Sequence, residues 1–212
     1  RQMCIRDSDN IYDICEDTRG RILVATFDGG LNIITLGGIW SIENAKNGNL
    51  AWDMSKHNKV RRIDVAPDGV VIVSTTGGLV TFSDKFTYGA PTRFYISCHE
   101  NNDRNSLLSS DVMQTCRMKD GRIYVATLGG GCQLLTSKNL LADDLKFKEV
   151  NKQNEQTVQG LVRDNDDNLW MVSDSRIFRL DKSGNVTEYG TDDLGDVNIT
   201  EALPSHDAET DR

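Results

Sequence analysis

Residues Ile11 to Ile34 read IYDICEDTRGRILVATFDGGLNII. An apolar stretch, Ile11-x-x-Ile14, leads into a turn at Thr18-Arg19-Gly20. A run rich in β-branched residues follows from Ile22, then a reversal at Gly29-Gly30, then a further apolar stretch from Leu31. Glycine accepts the positive φ of tight hairpin turns. β-branched runs bounded by such turns read as strands.

The same order returns three times. Val60 to Phe82 reads VRRIDVAPDGVVIVSTTGGLVTF, Val112 to Leu135 reads VMQTCRMKDGRIYVATLGGGCQLL, and Val158 to Leu180 reads VQGLVRDNDDNLWMVSDSRIFRL. Gly20, Gly69, Gly121 and Asp167 share the first turn, at steps of 49, 52 and 46 residues. Two places on stand Ile22, Val71, Ile123 and Leu169; four places on, Val24, Val73, Val125 and Met171; six places on, Thr26, Thr75, Thr127 and Ser173. Ile11, Val60, Val112 and Val158 stand nine places before it. Asp167 departs from glycine, but aspartate tolerates the left-handed region better than most residues. On that ground alone, Asp167→Gly is expected to be neutral or stabilising.

Each unit thus predicts a four-stranded antiparallel meander of about 50 residues. Weaker fourth strands are expected near Arg93 to Ile96 and Phe147 to Val150. A single such sheet cannot bury both faces, whereas sheets stacked around an axis can. The expected fold is all-β, a partial β-propeller of about four four-stranded antiparallel blades. A solenoid or two separate sandwiches are the architectures it competes with. The expected division is 8–58, 59–108, 109–155 and 156–196 for blades one to four, and 197–212 for the start of a further, truncated blade. Residues 1–7 fit no repeat slot and read as a non-native lead.

Composition restricts the function. Of 212 residues, 38% are hydrophobic and 26% charged, an ordinary globular balance. No stretch has the ~18 consecutive apolar residues a spanning helix needs, and no apolar run near the N-terminus reads as a signal peptide. Export or anchoring would be carried by other parts of a longer protein. The net charge is −8 with scattered Lys and Arg, which argues against nucleic acid as a partner. Five cysteines, Cys4, Cys15, Cys98, Cys116 and Cys132, form no C-x-x-C pair. Cys15 and Cys116 occupy one repeat slot, shared with Asp64 and Val162, so they read as small core residues and not as a ligand pair.

Catalytic patterns are sparse. His57, His99 and His206 are isolated in polar stretches, and no cofactor or metal motif is found. Gly129-Gly130-Gly131 lies between two strands and reads as a turn. Asp164 to Asn168 departs from a calcium loop at Leu169 and Ser175, and reads as a polar turn. Trp40 and Trp52 could stack on a sugar ring, but packing between blades is the simpler expectation.

The pattern made by Ile11, Ile14, Glu16, Asp17, Gly20, Ile22, Ala25, Thr26, Gly29, Gly30 and Leu31 resembles the two-component regulator propeller repeat. The lead-in Ser106 to Val112, and Trp170 at a slot where that family often carries tryptophan, add to the resemblance. The resemblance implies the periplasmic sensor region of a hybrid two-component system histidine kinase. It implies detection of oligosaccharides, control of polysaccharide-utilisation genes, a homodimer in the full-length protein, and a membrane helix and kinase outside this chain. This segment itself is then expected to be no enzyme. A propeller lyase similar to streptogramin lyases, or a protein-interaction scaffold, are the other readings.

In a meander, turns alternate between the two ends. The Gly-Gly turns are expected at the end that also carries the blade-to-blade connections. The connection from His99 to Ser110 is the longest, and it is rich in Asn, Asp and Arg, which hydrogen-bond sugar hydroxyls. A ligand, or neighbouring blades, is therefore expected at Asp28, His99, Asn101, Asn102, Asp103 and Arg104.

Overall fold

The computed structural model describes residues 10–35, 37–41, 58–86, 92–150, 157–190 and 193. Residues 1–7, Cys4, Trp52, His57, His206, the connections 52–57 and 151–156, the tail from 197 and the Trp40 side chain lie outside that description.

Among the described residues, sixteen strands form four antiparallel sheets, each in simple sequence order. The first sheet holds β1 (Asn10–Glu16), β2 (Ile22–Phe27), β3 (Gly30–Thr35) and β4 (Gly38–Ser41). The second holds β5 (Val60–Val65), β6 (Val70–Thr75), β7 (Gly78–Ser83) and β8 (Tyr95–Ser97). The third holds β9 (Val112–Arg117), β10 (Ile123–Thr127), β11 (Gly131–Leu135) and β12 (Phe147–Glu149). The fourth holds β13 (Gly160–Arg163), β14 (Leu169–Val172), β15 (Ile177–Leu180) and β16 (Val186–Tyr189). These are four propeller blades in succession.

Period-2 alternation explains how they stack. Val71 and Val73 point to the first blade, in a core with Leu23, Ala25, Leu31, Ile33 and Phe82. Their neighbours Val70 and Ile72 point the other way, to Val112, Ile123, Val125 and Phe147 of the third blade. Tyr124, Ala126 and Cys132 then meet Leu161, Leu169, Met171 and Phe178 of the fourth. A strand buried on both faces is predominantly apolar, which is why β6 opens with four aliphatic residues, Val70 to Val73, and is buried at every position, Ser74 and Thr75 included.

The shared hydroxyl slot has a shared bond. Thr26 and Thr75 each donate through Oγ1 at 2.8 Å to the carbonyls of Gly30 and Gly78. Thr127 donates to Gly131 and Ser173 to Arg176, both at 3.1 Å. The hydroxyl closes the turn between the second and third strands, and the pairing Thr26↔Gly30, Thr75↔Gly78 and Thr127↔Gly131 fixes its register. The third turn is one residue longer than the second. Its paired glycine is consequently Gly131, and the reversal expected at Gly129-Gly130 spans Leu128 to Gly130.

The first turn behaves as the sequence implies: Gly20, Gly69 and Gly121 have φ of 75°, 86° and 87°, and Asp167 has φ 65°. Carboxylates organise these turns. Asp17 accepts from the backbone of Arg19 and Arg21 and pairs with Arg21 Nε at 2.6 Å. Asp164, in the same slot, accepts from Asn168 N, Asn168 Nδ2 and Trp170 Nε1, each at 2.8 Å. Asp164 is thus a turn residue, and Trp170 stacks on Tyr189 with centroids 5.7 Å apart.

The first strands of successive blades are bound side by side. Asp13 Oδ2 accepts Ile63 N–H at 2.8 Å, Gln114 bonds both the N–H and C=O of Leu161, and Arg117 pairs with Asp64 at 2.9 Å. Cys15, Cys116 and Cys132 are packing residues. Burial pushes the Cys15 thiol up to about 12 and the Cys116 thiol up to about 11, and buried Cys132 is raised further.

Candidate ligand surfaces

The turns between second and third strands do share a face with the blade connections. Gly30 N–H donates to Asn58 O at 2.9 Å, Thr76 N–H to Lys59 O at 3.2 Å, Leu128 N–H to Asp111 O at 2.8 Å and Val158 N–H to Thr127 O at 3.3 Å. Cys98 Sγ donates to Gly77 O at 3.1 Å.

On that face, the connection from His99 to Asp111 runs across the top of the third blade. Phe147 N–H donates to Asn105 O at 2.7 Å on the outermost strand. Next inward, Gln133 bonds Ser106 O through Nε2 and Leu108 N–H through Oε1, at 3.1 and 2.8 Å. Innermost, Asp111 pairs with Arg61 at 2.9 Å. Gln133 is fully enclosed and spends its whole amide on this loop.

The six residues expected to bind are therefore not equivalent. His99 holds the loop together: Nδ1 meets Leu107 O at 2.7 Å and Nε2 meets Asn101 Oδ1 at 3.1 Å. Asp103 accepts Asn105 N–H at 2.9 Å and Lys146 Nζ at 3.0 Å. Those two bonds, the backbone one foremost, hold its carboxyl below the usual range, and Asp103 in turn raises Lys146. Asn102 and Arg104 are exposed, and their side chains make no hydrogen bond among the described residues. Asp28 belongs to a different junction. Its backbone has φ 80°, its carbonyl accepts from Asn58 Nδ2, and its carboxylate lies 3.8 Å from Lys59 Nζ. No hydrogen bond or ion pair among the described residues joins it to the 99–104 segment.

The opposite face, where the Gly69 and Gly121 turns lie, carries a cleft of about 840 Å³ between the second and third blades. Lys85, Arg117, Arg122 and Lys138 line it together with Asp68 and Asp120. Arg122 Nε is held by Asp120 at 2.6 Å and its Nη1 donates to Tyr124 Oη at 2.9 Å. Sequence reading missed this cleft. Its residues come from separate turns up to about 70 positions apart, so no single stretch of sequence announces it.

Comparison with known proteins agrees with the fold. The family model for the two component regulator propeller matches residues 6–28. No curated protein matches the chain in sequence. Among solved structures, the chain is similar to the extracellular domain described as the hybrid two component system BT3049 of B. thetaiotaomicron. The TM-score is 0.69 at 16% identity over 86% of this chain and 25% of that one. It is also similar to the extracellular domain described as the one component system BT4673 of the same organism, at TM-score 0.58 and 19% identity over 86% and 24%. A third match is virginiamycin B lyase of Staphylococcus aureus, at TM-score 0.56 and 17% identity over 88% and 57%. The chain spans about a quarter of the two sensor domains and just over half of the lyase. Four propeller blades among the described residues define the fold class of this chain, and residues 6–28 match the two component regulator propeller repeat.

Proposed function

We propose that the chain is a segment of the extracytoplasmic sensor propeller of a hybrid two-component regulator. It detects oligosaccharides on the periplasmic side of the inner membrane and controls genes for polysaccharide use. The segment has no catalytic role of its own, and the full-length protein is a homodimer. One observation carries the reading. The repeat matched at residues 6–28 is the first of four in a fold shared with the extracellular domain of a two-component system.

The ligand sits on the face of the blade connections. His99 and Asp103 shape the loop, while Asn102 and Arg104 are left to donate to sugar hydroxyls. The experiment is titration of the full sensor region with oligosaccharide pools, followed by Asn102→Ala, Arg104→Ala and Asp28→Ala. A loss of affinity of about tenfold in the first two is expected, the size of one hydrogen bond. Unchanged affinity in all three, with the fold intact, would remove the ligand from this face.

The likeness to virginiamycin B lyase favours a propeller lyase as the second reading. Such an enzyme needs a histidine base. Both ring nitrogens of His99, the one histidine among the described residues, already face partners within its own loop.

A further inference from the structure

The cleft between the second and third blades has no part in the binding face just described. We infer that it is a separate binding site for the acidic unit, carboxylated or sulfated, of an oligosaccharide; the saccharide class rests on the sensor reading above. Four cations line it against two carboxylates, in a chain whose net charge is −8. With Asp64 and Asp120 pairing the two arginines, two lysines stand against Asp68 alone, and a concave wall concentrates their field.

The cations fall into two kinds. Arg117 and Arg122 are fixed by Asp64 and Asp120, at 2.9 and 2.6 Å, and form a rigid wall. Lys85 and Lys138 are exposed and make no ion pair among the described residues. Both follow the third strand of their blade, Lys85 after β7 and Lys138 after β11, so two neighbouring blades each extend one unneutralised ammonium over the same cleft. An anion between them would gain charge-assisted hydrogen bonds from both sides.

The rest of the cleft suits a sugar. Val70 and Leu135, 9% and 6% exposed, form an apolar floor for the C–H face of a pyranose. Asn139 spends its Oδ1 on Leu141 N–H at 3.1 Å, and its NH2 makes no bond among the described residues. A volume of about 840 Å³ lies within the range of small-molecule sites. The loop that forms one wall is itself tied down, with Leu140 O accepting from Thr81 Oγ1 at 2.5 Å across the blade boundary.

The experiment titrates the full sensor region with cellobiose, a digalacturonide and a sulfated disaccharide, on wild type and on Lys85→Gln and Lys138→Gln. An acidic probe is expected to bind, with affinity falling about tenfold in each variant and falling as salt is raised. The stronger of the two acidic probes identifies the anion. Asn102→Ala and Arg104→Ala should leave this binding unchanged, since they lie on the opposite face. Cellobiose binding as well as the acidic probes, with no effect of either lysine change, overturns the cleft assignment and leaves the sensor reading standing. No binding of any of the three probes or of wider oligosaccharide pools overturns both.

Discussion

Asp167 Oδ1 accepts the backbone N–H of Lys119 at 2.9 Å, across the boundary between the third and fourth blades. Lys119 Nζ reaches Asn165 O at 2.8 Å in the same turn. The one unit that lacks the turn glycine thus uses its side chain to hold the previous blade's turn.

That bond reverses the expectation drawn from backbone preference alone. Asp167→Gly relieves the left-handed cost but removes a buried acceptor and leaves Lys119 N–H unpaired. A net destabilisation of about 1 kcal/mol is expected. Asp167→Asn keeps both the acceptor and the tolerance of positive φ, and should stay within about 0.5 kcal/mol of wild type. Denaturant melts compare the two; a stabilised Asp167→Gly protein would mean that the cross-blade bond contributes nothing.

Gly69 and Gly121 have nearly equal φ, 86° and 87°, but different surroundings. A Cβ on Gly121 meets nothing within 4 Å, whereas one on Gly69 falls 2.3 Å from Asp84 Oδ1. Asp84 is fully buried and bonded by Thr18, so its carboxylate has little room to withdraw. Gly121→Ala should cost about 1–2 kcal/mol, the left-handed penalty alone. Gly69→Ala should cost clearly more, and Gly69→Val more again. Equal losses at both sites in thermal or urea unfolding would contradict the close approach.

The repeat slots made the blades legible, because apolar alternation and turn glycines are local and recur. The hydroxyl slot of Thr26, Thr75, Thr127 and Ser173 was equally visible as a pattern, though its bond to the next strand's carbonyl was not. What stayed hidden depends on pairs far apart in the chain. The Lys119–Asp167 contact spans 48 residues, and Gln133 clasps a loop about 25 residues earlier. The face shared by turns and connections followed from strand alternation. Which loop residues are consumed in holding the loop, such as His99 and Asp103, did not.

The Asp103–Lys146 pair makes the loop's order depend on pH. A lowered carboxyl pKa stabilises the folded loop above the ordinary aspartate value, and that contribution is lost as pH falls through the lowered pKa. The raised Lys146 stabilises below the ordinary lysine value and is lost as pH rises through its raised pKa. The Asn105 amide, which donates to Asp103, should be protected from exchange across neutral pH and lose protection at both extremes. Asp103→Asn should abolish the acid limb. An Asp103 carboxyl that titrates at the ordinary value in NMR would show that neither bond persists in solution.

The first blade presents slots that elsewhere meet a neighbour. Ile22, half-buried, stands where Val71 faces the preceding blade, while Val24 in the Val73 slot is already covered. Beside them Ile14 and Ile34 are 62% and 38% exposed. Expressed alone, the 212-residue chain should self-associate through this face. Ile14→Glu should reduce the association in sedimentation velocity, because a charge there opposes apolar stacking. A monodisperse, highly thermostable wild-type monomer would contradict the open-faced blade.

In the function we propose, this run of propeller blades senses a saccharide and does not transform one. The most direct measurement incubates the full sensor region with an oligosaccharide pool, isolates the bound fraction and follows both protein-bound and free sugars by mass spectrometry over time. The account predicts saturable, stoichiometric binding and recovery of the ligand at unchanged mass. Catalytic turnover, with product of altered mass accumulating beyond one equivalent, would contradict it.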